Sequence, residues 1–223
     1  MGARSNKHQL VGGKQTFNSE VQVDNKLVVG QAGQNINQTS FSATNPSLSE
    51  GQNVLSITPN AHGSGIADGA ISTFVNKVGG LIYTTILIDL HAGLADGGTA
   101  NDIIGTDGGA ANAYIANITD SVNGVPLEVQ MGCLEVPTGG DPDINLVASA
   151  TATDANDAAV TSGTVVLNNG DWTLGKFTEG DAGADFAGAK RYLYLTCGDT
   201  TDAAYTAGKI IIKITGALFD KAG

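Results

Sequence analysis

The ten residues Leu81–Leu90, which read LIYTTILIDL, decide the fold. Every second residue from Ile82 to Leu90 falls on one face of an extended chain, and Tyr83, Thr85 and Leu87 fall on the other. This period of two predicts a β-strand rather than a helix. Because both faces are largely apolar, we expect the strand to lie in the middle of a sheet.

Alternation of the same kind recurs near the end of the chain. Residues 191–197 place Leu193, Leu195 and Cys197 on one face, and residues 209–215 do the same with three isoleucines, Ile210, Ile212 and Ile214. The remaining predicted strands cover residues 53–58, 113–120, 125–136, 163–167 and 171–177.

Turn residues predict how some of these strands connect. Asn123-Gly124 supplies the positive φ of a tight turn and predicts a hairpin between 113–120 and 125–136. Asn168-Asn169-Gly170 predicts a second hairpin between 163–167 and 171–177. One helix is predicted at 66–78, where apolar residues approximate a period of 3.6. The pattern favours an all-β fold, an antiparallel β-sandwich of jelly-roll type with an extended N-terminal arm.

Charge divides the chain of 223 residues into two parts. Its net charge is −11, with 22 acidic and 11 basic residues, and this charge disfavours nucleic acid as a partner. Residues 1–45 are polar and form the predicted arm, whose first 19 residues carry Arg4, Lys7 and Lys14 and no acid. Val21 and Val23 begin the one strand-like piece of the arm. Residues 46–223 form the predicted body.

The arm has two interpretations. Its apolar residues are too sparse to close a core, so we expect it to become ordered on a partner or on a neighbouring subunit. The contact residues would then be Arg4, Lys7, Lys14, Val21 and Val23. A solvated tail is the alternative.

Neither export nor membrane insertion is expected, because the sequence shows no signal-peptide pattern and no apolar run long enough to cross a bilayer. Cys133 and Cys197 are expected to be buried free thiols, although a single bridge between them is the alternative.

No arrangement of residues indicates catalysis. The histidines His8, His62 and His91 lack the spacing of a zinc site, and His62 with Ser64 is only part of a triad. We therefore expect a protein that is not an enzyme.

Acidic loops are the one place where a cofactor is conceivable. Asp96 and Asp102 lie close in sequence, as do Asp141 and Asp143, and carboxylates at short spacing suit Ca²⁺. Since the loops lack the order of an EF-hand, Asx turns without any ion are the simpler interpretation, and no cofactor is expected.

Several short segments of the sequence resemble segments of accessory virion proteins of marine tailed bacteriophages. They lie at 82–90, 102–105, 113–115, 123–124, 133–144, 192–195 and 206–209. The resemblance implies a structural virion protein, a decoration or cement protein on the capsid surface, which is assembled in the host cytoplasm and binds the major capsid protein. It also implies a homo-oligomer, with a trimer favoured. Neither nucleic acid, which the net charge disfavours, nor a membrane is expected as a partner.

A second hypothesis is a glycan-binding head- or tail-fibre module that engages the host surface. It would use Trp172, the single tryptophan, with the acidic loops and Ca²⁺. Core packing of Trp172, Tyr192 and Tyr194 explains these aromatic residues equally well and is favoured.

Overall fold

A computed structural model describes residues 54–109, 111–168, 170–180, 186 and 191–217. The predicted arm, with Arg4, Lys7, Lys14, Val21 and Val23, lies outside the described residues. The described chain is almost entirely β, with one helical turn. Its elements are β1 (Val54–Ile57), β2 (Ile71–Val78), β3 (Leu81–Asp89), β4 (Leu94–Ala95), β5 (Gly105–Thr106), β6 (Ala116–Asn117), α1 (Asp120–Asn123), β7 (Val125–Thr138), β8 (Ile144–Ser149), β9 (Thr164–Leu167), β10 (Phe177–Gly180), β11 (Tyr192–Cys197) and β12 (Ala207–Ala217).

A six-stranded antiparallel sheet has the order β1-β2-β3-β12-β7-β10. Ile86 of β3 pairs with Thr73 on one side and with Ile212 on the other, so β3 lies in the middle of the sheet as predicted. The alternation in β3 and β12 is also confirmed, because Ile82, Ile86 and Ile88 are buried and so are Ile210, Ile212 and Ile214.

A four-stranded antiparallel sheet has the order β6-β11-β8-β9, and β4 and β5 form a separate two-stranded ladder. Leu195 pairs with Leu146 across β11 and β8. These two leucines belong to the same hydrophobic core as Ile86 and Ile212 of the larger sheet. The two sheets therefore share one core in a sandwich-like arrangement, and burial of its apolar side chains is the main stabilising contribution.

The helix predicted at 66–78 is wrong. Ile66 and Ala70 are buried in the core, but Gly69 has a φ of +87°, which no helix contains, and residues 71–78 are strand β2. Along β2, Thr73 and Val75 lie opposite Ile86 and Thr84 of β3. Pairing with a long central strand outweighs a weak helical period.

Both predicted hairpins are also wrong. β6 pairs with β11 and β7 pairs with β12 and β10, so the segments around Asn123-Gly124 are not partners. Asn123 is buried at the end of α1, where its Nδ2 donates to Thr84 Oγ1 at 2.9 Å, and Gly124 alone supplies the positive φ, at +70°. Similarly, β9 pairs with β8 in one sheet while β10 pairs with β7 in the other.

Cys133 and Cys197 are both free and buried, as expected. Over the described residues, no helix is long and apolar enough to cross a bilayer.

Candidate functional site

The outer face of the six-stranded sheet, meaning the side that points away from the core, carries an unusual number of exposed apolar side chains. Alternation places core residues on the inner side of β2, β3, β7 and β12 and leaves every second residue on the outer face. Phe74 is 52 % exposed and Tyr83 is 40 % exposed. Val78, Leu134 and Phe177 are exposed on the same face. Several apolar side chains exposed on one sheet face are typical of a binding surface.

β7 contains a bulge beside this face, and the bulge places Leu134 and Glu135 together on it. The register of β7 against β12 shifts between Cys133, which pairs with Ile210, and Glu135, which pairs with Lys209. Leu134 is the extra residue, and 49 % of it is exposed. A bulge of this type redirects side chains and twists a strand locally.

An ion-paired lysine lies next to this bulge. Lys209 Nζ of β12 is 2.5 Å from Glu135 Oε2 of β7 and 3.6 Å from Asp89 Oδ2 of β3. The hydrogen bond to Glu135 raises the pKa of Lys209, with a further contribution from the charge of Asp89. The three side chains cross three neighbouring strands and form a polar patch within the apolar face.

A shallow pocket of about 250 Å³ opens at the edge of this patch. Its walls combine the Leu87 and Leu134 side chains with Lys209 and Asp89. Apolar walls with a few charged groups suit a protruding side chain of another protein.

Phe177 of β10 covers part of the same face. Its ring lies on Gly132 of β7, and Lys213 Nζ is 5.4 Å from the ring centroid. Gly132 leaves room for the ring, since a Cβ atom there would be only 2.3 Å from Phe177 Cε2.

The acidic loops suggested by the sequence come together at one end of the sandwich, but their oxygens bind backbone groups. Asp96 Oδ2 accepts the Asp141 N–H at 2.5 Å and Asp96 Oδ1 accepts the Ala203 N–H at 2.5 Å. Asp141 Oδ1 and Oδ2 accept the N–H groups of Asp143 at 2.8 Å and Asp199 at 2.5 Å.

These bonds give Asp96 and Asp141 a clear structural function. Both are buried, and their carboxylates tie together the loops that precede β8 and β12. Tyr205 completes the network by donating to the Asp141 carbonyl at 2.9 Å, and burial raises the pKa of its hydroxyl.

Asp102 has a smaller role, since its Oδ2 accepts only the Thr99 N–H, at 3.0 Å. Within the described part of the chain, no three His, Cys, Asp or Glu side chains converge as metal ligands. Asp143 differs from the other three aspartates, because its Oδ1 is buried and has no hydrogen-bond partner.

Trp172 is 1 % exposed, and its Nε1 donates to the Ile144 carbonyl at 2.7 Å. Tyr194 is buried too, and its hydroxyl donates to the Thr151 carbonyl. The predicted core packing of these two aromatic residues is confirmed. A glycan platform built on Trp172 is therefore wrong for the described structure, because a sugar has no access to the indole ring.

His62 and Ser64 each contact the backbone. His62 Nδ1 lies 3.0 Å from the Gly63 carbonyl oxygen, and Ser64 Oγ donates to the Ala111 carbonyl at 3.4 Å. Neither contact is the base-to-nucleophile bond of a triad.

Comparisons with protein-family models, with curated proteins and with solved structures found no match to this chain. The outer face, with Leu134 and the Lys209 ion pairs near one end of its strands, is the candidate site on structural grounds alone.

Proposed function

We propose that this chain is a structural virion protein, a decoration or cement protein that binds the outer surface of a tailed-phage head through the major capsid protein. The observation that carries the proposal is the outer face, where exposed apolar side chains surround an ion-paired lysine on a six-stranded sheet. Exposed apolar area on a rigid scaffold suits permanent binding to another protein surface.

The strand order supports a jelly roll, an architecture that viral capsid proteins use. Eight strands, β3 and β6 to β12, are nested in their pairing: β3 pairs with β12, β6 with β11, β7 with β10 and β8 with β9. This is the pairing of an antiparallel ribbon folded over on itself. β1 and β2 extend the larger sheet beyond β3.

The charge of the chain fits a position outside the head. A protein with a net charge of −11 is repelled by packaged DNA and does not compete for it. The resemblance to accessory virion proteins falls mainly on β3, β7, β11 and β12, which form the scaffold. A trimer would multiply weak contacts, and avidity can exceed a single contact by about 10² to 10⁴. Three copies would then stabilise the assembled shell by mass action.

A sedimentation experiment with isolated heads tests this proposal. The full chain is mixed with heads of the phage that encodes it, and we expect the chain to sediment with them. Leu134→Lys should abolish binding by replacing an exposed apolar side chain of the outer face with a charge. The matched control is Val165→Lys, because Val165 of β9 is 47 % exposed on the other sheet.

Equal binding by both variants would show that the outer face is not the contact, and failure of the full chain to bind heads would refute the function itself.

Deleting residues 1–19 separately tests the predicted arm. Loss of binding with an unchanged unfolding temperature would support the arm contacts at Arg4, Lys7 and Lys14.

A further inference from the structure

Three buried oxygen atoms on one face of the smaller sheet have no hydrogen-bond donor. They are Asp143 Oδ1, Asn145 Oδ1 and Thr196 Oγ1. Asn145 is 2 % exposed and Thr196 is 1 % exposed. Leaving one such group unpaired costs about 1–3 kcal/mol, so three together indicate a ligand.

The register of β8 and β11 places the three side chains that carry these oxygens next to one another on one face. Asn145 and Thr196 are direct cross-strand partners, so their Cβ atoms are about 5 Å apart on the same face. Asp143 lies two residues before Asn145 and therefore shares that face. The Gly198 N–H donates to the Asp143 carbonyl at 2.7 Å, which continues the same ladder.

Gly198 allows Asp143 to lean towards β11. A Cβ atom on Gly198 would be 2.3 Å from Asp143 Cγ, so the carboxylate occupies the space that any other residue would fill. The Asp143 side chain is thus held above β11, on the side where Thr196 presents its hydroxyl.

The electrostatics of this position favour a positive ion. Asp141, Asp171 and Asp199 place three further negative charges near Asp143, and Lys176 places one positive charge there. A water molecule could donate to two of the three oxygens, but it would leave this negative charge uncompensated. A cation satisfies the oxygens and the charge together.

We infer that Asp143, Asn145 and Thr196 bind a Ca²⁺ ion between β8 and β11, with water completing its coordination. A carboxylate, an amide oxygen and a hydroxyl are hard ligands, and no nitrogen or sulfur atom takes part. Their irregular arrangement suits Ca²⁺ better than Mg²⁺, which demands octahedral geometry. With one carboxylate as direct ligand, the site belongs to the weak class, with a Kd of about 10⁻⁴–10⁻³ M.

This site differs from those that the spacing of aspartates suggested. Asp96 and Asp141 use both carboxylate oxygens for backbone N–H groups. Asn145 and Thr196 carry no charge and lie far apart in sequence, and only strand pairing brings them beside Asp143.

Terbium luminescence tests the site directly, because Tb³⁺ replaces Ca²⁺ and is sensitised by a nearby tryptophan. Trp172 is the single tryptophan, and its Nε1 donates to the carbonyl of Ile144, the residue between Asp143 and Asn145. The full chain, freed of metal with chelator, should show Tb³⁺ emission on tryptophan excitation, and added Ca²⁺ should suppress it. Ca²⁺ at 100 times its Kd should raise Tm by about 5–10 °C.

The variants separate this site from general counterion binding. Asp143→Asn should abolish both the emission and the Ca²⁺-dependent rise in Tm. Asp107→Asn removes the same charge from an exposed loop and should change neither. Thr196→Val, which keeps the side-chain shape, should weaken Ca²⁺ binding about tenfold and tests a second ligand independently of the Asp143 charge.

Three results would overturn the inference. They are the absence of sensitised emission in the full chain, an equal Tm increase with Mg²⁺ at the same ionic strength, and equal loss of emission in Asp107→Asn.

Discussion

The ring of Phe177 lies directly on Gly132, so close that a Cβ atom at position 132 would stand 2.3 Å from Phe177 Cε2. The two residues are cross-strand partners of β10 and β7. This contact attaches the edge strand β10 to the six-stranded sheet and sets the shape of the outer face where the ring and Lys213 meet.

Gly132→Ala should therefore lower the free energy of unfolding by about 1–3 kcal/mol, because the ring must leave its place. Urea unfolding followed by circular dichroism measures the loss. Adding Phe177→Leu should recover part of it, since the smaller side chain leaves room for the methyl group. If the two substitutions were simply additive, the close contact would not be the cause.

Asp96→Asn should lower the free energy of unfolding by about 3 kcal/mol. Asp96 accepts two backbone N–H groups, from Asp141 and Ala203, and an amide side chain accepts well through only one of its two terminal atoms. Thermal and urea unfolding both report the change. Asp107→Asn is the control, with an expected effect within about 0.5 kcal/mol, as for other exposed positions. Similar stability of the two variants would contradict the loop-anchoring role of Asp96.

Asp143 should make stability depend on pH in the presence of chelator. Its pKa is raised in the folded chain above the ordinary value of 3.8, so the charged carboxylate is a cost to folding above the raised pKa. As pH falls through the raised pKa towards 3.8, the folded chain takes up the proton first and the cost disappears. Asp143→Asn should thus be more stable than the native chain at pH 7, and the difference should vanish below pH 3.8. Urea unfolding across this range measures it, and a difference that grows on acidification would contradict the raised pKa.

Cys133 and Cys197 should react slowly with a thiol reagent in the folded protein. Both are buried, and burial raises the pKa of each thiol, so little thiolate forms near neutral pH. Absorbance with Ellman's reagent should show that two thiols become reactive together when the chain unfolds in urea. Rapid reaction of either cysteine without denaturant would mean that the interior opens locally.

Local alternation was sufficient to predict β3, β11 and β12, but not β2, which was predicted as part of a helix. Ile86, Leu195 and Ile212 each lie in a run with a period of two, and each is buried as that period requires. Pairing partners were less predictable, because they depend on contacts between distant segments. Asn123-Gly124 looked like a hairpin turn, but Asn123 is a buried anchor for Thr84 and β7 pairs with β12.

The candidate site was hidden from the sequence for similar reasons. Alternation from the buried Cys133 already turns Leu134 outward, but the bulge that places Glu135 on the same face depends on pairing with the distant strand β12. Little in the local sequence distinguishes Asn145 and Thr196 from other polar residues. They become neighbours in a buried position only because β8 pairs with β11. One signal could have indicated Asn145 and Thr196. Each is a polar residue in an alternating strand, on the face that the period of two assigns away from the core.

The nested strand pairing has a consequence for how the protein is made. β12 is the last strand of the described chain, yet it lies in the middle of the larger sheet, between β3 and β7. β3 leaves the ribosome long before β12 has been synthesised. During this interval β3 lacks one of its two neighbouring strands, and its apolar inner face is not yet covered. Completion of the sheet is therefore a late event that follows synthesis of residue 217, and slow folding is expected from such distant pairings. A chaperone that shields β3 during this interval should raise the yield of folded protein.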